Sequence, residues 1–180
     1  MIHDLKGKII IWDKDGTITP FRYPSDSPIN ASCILPGVEQ TMRESKFNFI
    51  VSGYKSPKSE SRNLDPEHVI ERLKALMQLL PIDAAAFSPY IGGIACFVVI
   101  KGIGNIFEIY KAHEDPQYKG YIGKFKKPDI GMFAVIKDIA RERFGEKVDG
   151  ENSLMIGDTS YDEAAAFNFS IPFLHVDKIH

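Results

Sequence analysis

Lys8-Ile-Ile-Ile-Trp-Asp-Lys-Asp-Gly-Thr17 is the stretch from which the fold can be read. Residues 8–13 carry a short apolar, β-branched run with no polar alternation, so they read as a strand buried on both faces. The run stops abruptly at polar residues, and Gly16 permits a sharp turn. Strands of this kind occur where helices cover both sides of a parallel sheet.

The rest of the chain supplies those layers. Residues 19–35 hold Pro20, Pro24 and Pro28 and read as an irregular loop. Pro36 opens a short helix to about Ser45, and Phe47 to Val51 is a second buried strand that ends at Ser52-Gly53. Asp65-Pro66 pairs an N-cap with proline in the first turn. Val69, Leu73, Leu76, Met77 and Leu80 then recur at helical spacing until Pro81. Ala84 to Phe87 reads as a third strand. Ile94 to Lys101 and Asn105 to Lys111, joined by Gly102-Ile-Gly104, read as a β-hairpin. Pro128 is expected to start a helix with a buried stripe of Phe133, Ile136, Ala140 and Phe144, stopped by Gly145. Ser153 to Ile156, Ser160 to Phe167 and Pro172 to Val176 follow as strand, helix and strand. The alternation predicts one α/β domain over residues 1–180, with a central parallel sheet. Residues 88–125, with the hairpin, form an insertion too short for a large cap domain.

With 180 residues, 44% of them hydrophobic and 26% charged, the composition is that of an ordinary globular domain. A net charge of −2 offers no global basic field for nucleic acid. Cys33 and Cys96 are too isolated for a disulfide framework or a zinc site and fit a reducing compartment. The start of the chain lacks the apolar run of a signal peptide, and no apolar stretch reaches the roughly 18 residues of a membrane span. The expectation is a cytoplasmic protein with no membrane partner.

In an open parallel sheet, ligands bind beyond the carboxyl ends of the strands. Three polar clusters fall there: Asp13 to Thr17, Ser52-Gly53, and Gly157 to Asp162. An Asp-Gly pair alone is usually just a turn. D-x-D-G-T is expected by chance in roughly one chain of this length in several hundred, which favours chemistry. A carboxylate such as Asp13 can attack phosphorus and form an acyl phosphate. Asp15, two residues on, can protonate the leaving oxygen and then deprotonate water. The Thr17 hydroxyl can tie the loop. Two acids beside a phosphate repel one another, so a cation is needed, and magnesium prefers oxygen ligands. Asp13 can give it a side-chain oxygen, Asp15 a backbone carbonyl and Asp158 a carboxylate, with Asp162 as an outer support. The bland alternative has Asp158 or Ser160 capping the next helix. Ser52 and Gly53 can offer a hydroxyl and an N–H to a phosphoryl oxygen, and Lys127 can neutralise its charge. Lys124 and Lys126 nearby leave open a merely solvated basic loop.

Taken together, Asp13-x-Asp15-Gly16-Thr17, Ser52-Gly53, Lys127 and Gly157-Asp158-x-x-x-Asp162 resemble the ordered motifs of the haloacid-dehalogenase-like phosphatases. The resemblance implies a three-layer Rossmann-like fold, magnesium dependence and an aspartyl-phosphate intermediate. It makes Asp13 the nucleophile and Asp15 the acid/base. Ser52, Gly53 and Lys127 would hold phosphate, and Asp13, Asp15 and Asp158 would hold the metal. Lys127-Pro128-x-x-Gly131-Met132 is similar to the branch with heptose-bisphosphate, histidinol and polynucleotide 3′-phosphatases. The Cys/His zinc ligands that often precede that lysine are missing from Tyr121 to Lys126.

The expected substrate is a small phosphorylated metabolite. Alternatives are a nucleic-acid 3′-end phosphatase, using Lys119, Lys124, Lys126 and Lys127, and a catalytically silent binding module. The hairpin either extends the core through Ile94, Phe97, Val99, Phe107 and Ile109, or shapes the site entrance, or joins subunits into a homo-oligomer. Arg22 and Tyr23 are candidate substrate contacts. The five histidines show no metal-ligand spacing.

Overall fold

The computed structural model of the protein describes residues 5–21, 26–53 and 64–179. In chain order its elements are β1 (Ile9–Trp12), α1 (Val38–Glu44), β2 (Phe47–Ser52), α2 (Pro66–Leu79), β3 (Ala84–Phe87), β4 (Phe97–Lys101), β5 (Phe107–Lys111), α3 (Gly131–Phe144), β6 (Ser153–Gly157), α4 (Ser160–Asn168) and β7 (Phe173–His175). The strands form one sheet in the order β5-β4-β3-β2-β1-β6-β7. β3, β2, β1, β6 and β7 are mutually parallel, as expected. β4 and β5 continue the sheet antiparallel at one edge.

Residue parity along the central strands assigns the two faces. Ile9, Ile11, Phe49, Val51, Ala84 and Ala86 pack with Phe133 and Ile136 of α3 and Ala165 and Ala166 of α4. Ile10, Trp12, Ile50 and Ala85 pack with Val38 and Met42 of α1 and Leu73, Leu76 and Met77 of α2. The result is three layers, and β1 is fully buried because it needs apolar residues on both faces. Each such side chain contributes about 1.5–3 kcal/mol when wholly buried.

One buried polar side chain is built into the second face. Asn48, in β2, is 2% exposed. Its Oδ1 accepts from the Trp12 indole N–H at 3.0 Å and the Ser45 hydroxyl at 2.8 Å. Its Nδ2 donates to the carbonyls of Met42 and Pro81 at 2.9 and 3.0 Å. The amide thereby joins β1, the end of α1 and the turn after α2, and it lets an indole sit in the core with its donor satisfied.

Local signals placed most boundaries. Asp65 caps α2 by accepting from the Glu67 N–H, and Gly145 ends α3 with φ +69°. Three element starts need correction. Pro128 does not start a helix, because α3 begins at Gly131. β4 begins at Phe97 rather than Ile94, which is 55% exposed. β5 begins at Phe107, since residues 103–105 form a short 3-10 turn. Of the hairpin's apolar residues, Phe97 and Val99 are buried and Phe107 packs on the core. Ile109 stays partly exposed because β5 is the outer edge. Among the described residues, no helix is long and apolar enough to cross a membrane.

Asn48→Ala would take from the buried Trp12 N–H its acceptor and from the Pro81 carbonyl its donor, while the Met42 carbonyl keeps the Ser45 hydroxyl. We expect a loss of about 2 kcal/mol, read by thermal denaturation as a fall in Tm of roughly 4–8 °C. An unchanged Tm would show that the amide is dispensable.

Candidate active site

The chain crosses from one side of β1 to the other between β2 and β6, so the carboxyl ends of these strands border the sheet's topological switch point. Asp13 follows β1, Ser52 and Gly53 end and follow β2, and Gly157 and Asp158 end and follow β6. The three polar clusters of the sequence thus meet along one edge.

Asp13 extends the β1–β6 pairing, its N–H donating to the Ile156 carbonyl at 2.9 Å, and it is 1% exposed. The chain then wraps around one carbonyl. The Lys14 oxygen accepts from the N–H groups of Thr17, Ile18 and Thr19 at 3.4, 2.9 and 3.0 Å. Gly16 closes this loop with φ +90°. A side chain at residue 16 would also run into the Asp158 carboxylate, so only glycine satisfies both the turn and the close approach. Thr17 is fully buried, and its hydroxyl lies 3.4 Å from Asp13 Oδ2 and 3.5 Å from Asp158 Oδ1. The Asp15 side chain is partly exposed, and its carboxylate accepts from the Lys14 ammonium.

On the β6 side, neither Asp158 nor Ser160 caps α4. The cap is Thr159, in a capping box with Asp162. Asp162 Oδ2 accepts from the Thr159 N–H at 3.0 Å and from its hydroxyl at 2.6 Å. Gly157 is required beside it, because a Cβ there would lie 2.5 Å from the Asp162 Cβ. Asp162 Oδ1 accepts from the Lys127 ammonium at 2.5 Å, and that ammonium also donates to Asp13 Oδ1. Both partners are buried with the lysine. Burial by itself would favour neutral Lys127, but Asp13 and Asp162 outweigh it and hold its pKa above the ordinary lysine value.

Asp13, Asp158 and Asp162 each offer an oxygen within 4.8 Å of the others. The donor set is all carboxylate oxygen, which suits a hard divalent cation. Asp13 and Asp158, which follow β1 and β6, could ligate it, with Asp162, whose two oxygens hold Lys127 and Thr159, as support. The Asp15 carboxylate is not in this group. Ser52 is 7% exposed at the end of β2. A Cβ on Gly53 would lie 3.9 Å from the Lys127 backbone nitrogen, so these two motifs are neighbours. Arg22 and Tyr23 lie outside the described residues. The His175 ring contacts the Asp158 carbonyl at 3.2 Å, and His113 the Cys96 carbonyl at 2.9 Å. The sequence reading missed the Thr159 cap, although Thr159-Ser-Tyr-Asp162 has capping-box spacing. It also missed that Lys127 bridges two acids, for which no local signal exists.

No family model and no curated protein matches the chain. Among solved structures it is similar to the D,D-heptose 1,7-bisphosphate phosphatase from B. bronchiseptica, complexed with magnesium and phosphate. The TM-score is 0.50 and the identity 18%, over 92% of this chain and 78% of that one. At this identity the likeness establishes the fold, which is the three-layer Rossmann-like architecture expected from the motifs.

Lys127→Met would leave two buried carboxylates without their ammonium. In chelator-treated buffer we expect a loss of about 3 kcal/mol or more in urea unfolding. Retention of full stability would mean that the ammonium does not compensate these acids.

Proposed function

We propose that the chain is a magnesium-dependent phosphomonoester hydrolase acting through an aspartyl phosphate on Asp13. One observation carries this reading. Carboxylates from the ends of two adjacent parallel strands, Asp13 and Asp158, converge beside a buried ammonium that donates to Asp13. Three acids and one ammonium in one buried cluster leave an excess of negative charge when all are ionised. A divalent cation offsets that excess, and a phosphoryl group brings its own oxygens to the same place.

Magnesium would be held by Asp13, Asp158 and the Asp15 carbonyl, and when bound it neutralises charge on the phosphoryl oxygens. Lys127 and the Ser52-Gly53 turn hold the remaining oxygens. An Asp13 carboxylate oxygen forms a bond to phosphorus as the bond to the ester oxygen breaks. Asp15, in its acid form, gives its proton to that departing oxygen. Asp15, now a carboxylate, takes a proton from water as the water oxygen attacks phosphorus. The acyl-phosphate bond breaks, and Asp13 and inorganic phosphate are released. Thr17 and Asp162 orient Asp13, Asp158 and Lys127. The substrate class is a small phosphorylated metabolite, a reading supported by the bisphosphate-sugar phosphatase of similar fold.

Asp13→Asn should lower kcat on an aryl phosphate by about 10⁴-fold or more, and chelation should do the same until magnesium is restored. Asp15→Asn should accumulate protein carrying one phosphoryl group, seen by intact mass, when the leaving group is good. Full activity in Asp13→Asn would refute the scheme.

A further inference from the structure

The insertion at residues 88–125 runs from the end of β3 through the edge strands β4 and β5 to the segment before Lys127, and its two arms meet at Gly93. The Gly93 carbonyl accepts from the Gly123 N–H at 2.9 Å and from the Phe125 N–H at 3.1 Å. The Gly93 N–H closes a turn on the Tyr90 carbonyl at 3.0 Å, with φ +62°. A Cβ at residue 93 would lie 3.1 Å from Lys126 Cγ and 3.2 Å from the Phe125 nitrogen. The returning arm is fixed from its other side as well. Phe125 is fully buried and belongs to the same core cluster as Met132 and Phe133 of α3. The Lys124 carbonyl accepts from the Gly131 N–H at 3.2 Å, where a Cβ would lie 2.7 Å from that oxygen.

Lys127 therefore begins two residues beyond a segment gripped on both sides. A lysine ammonium sits on a flexible four-carbon stem, and its reach into a buried site is set by where its backbone is anchored. We propose that Gly93 is a positioning residue for Lys127: it clasps the two arms of the insertion and sets the backbone from which the ammonium reaches Asp13 and Asp162. The insertion then serves the site by holding one cation in register. This rests on the reading of Lys127 as the phosphoryl-binding cation.

The test compares Gly93→Ala with Gly104→Ala. Gly104, at the hairpin tip, has φ +69° and nothing within 4 Å of a built Cβ. Both variants bear the cost of a left-handed alanine, and only the first presses on Lys126 and Phe125. Correlation spectra of ¹⁵N-lysine ammonium groups report the buried Lys127 signal, assigned by its loss in Lys127→Met. We expect that signal to persist in Gly104→Ala and to shift or vanish in Gly93→Ala. On an aryl phosphate, kcat should fall between about 10- and 100-fold in Gly93→Ala, and by no more than about twofold in Gly104→Ala. On the Lys127→Met background, Gly93→Ala should cost nothing further. If Gly93→Ala does not fold, Phe125→Leu takes its place, with the same signal expected to shift. An unchanged Lys127 signal in the folded variant, or an equal loss of kcat on the Lys127→Met background, overturns the proposal. Absence of phosphatase activity in the unmodified protein would sink the proposed function instead, and the spectra would still decide the positioning role.

Discussion

A buried ammonium held between two buried carboxylates is the constraint on which the rest of this molecule depends. Lys127 donates to Asp13 at the end of β1 and to Asp162 in the first turn of α4. Taking these charges out of water is costly, and the arrangement survives only if every lone pair finds a partner. The surroundings meet that demand. Thr159 saturates the second oxygen of Asp162, Thr17 reaches toward Asp13, and no buried side-chain polar atom among the described residues lacks a hydrogen bond. Gly16 and Gly157 are the places where the backbone must come too close for a side chain. The glycines and threonines of the motifs therefore follow from fitting acids and an ammonium into one close-packed cluster.

The sheet puts those groups within reach of one another. β1 is flanked by β2 and β6, both parallel to it and in step, so that Trp12, Ile50 and Ile156 share a row. The residues that follow these strands consequently emerge side by side. A crevice at such a switch point needs no sculpted cavity, because the diverging loops open it. The same topology explains the hairpin. β3 would be an unprotected edge, and antiparallel β4 covers it with Val98 and Val99, both fully buried. β5 then takes over as the edge, with Glu108 and Lys111 exposed along it.

Much of the fold and of the site was legible because the signals are local. The Ile9–Trp12 run, the Asp65-Pro66 cap, the Gly145 stop and the Asp13-to-Thr17 loop each concern residues adjacent in sequence, whose conformations are set by sterics and short-range hydrogen bonds. The errors were local competitions of the same kind. Pro128 is a good first-turn residue, yet α3 starts three residues later, where the Gly131 N–H bonds the Lys124 carbonyl and Phe125 fills the core beside it. Ile94 looked like strand because it is apolar and β-branched, but the pairing with β3 begins only at Phe97.

By itself, then, the sequence determined which segments are strands or helices and which polar turns follow the strands, since periodicity, caps and turn residues act over a few positions. Only the tertiary structure decided that Lys127 bridges Asp13 and Asp162, that Thr159 rather than Asp158 or Ser160 caps α4, and that Gly93 grips the arm leading to the lysine. Those pairings join residues from 30 to 114 positions apart or separate neighbours of equal capping ability. They are chosen by strand order, register and packing of the whole chain, which no short window contains.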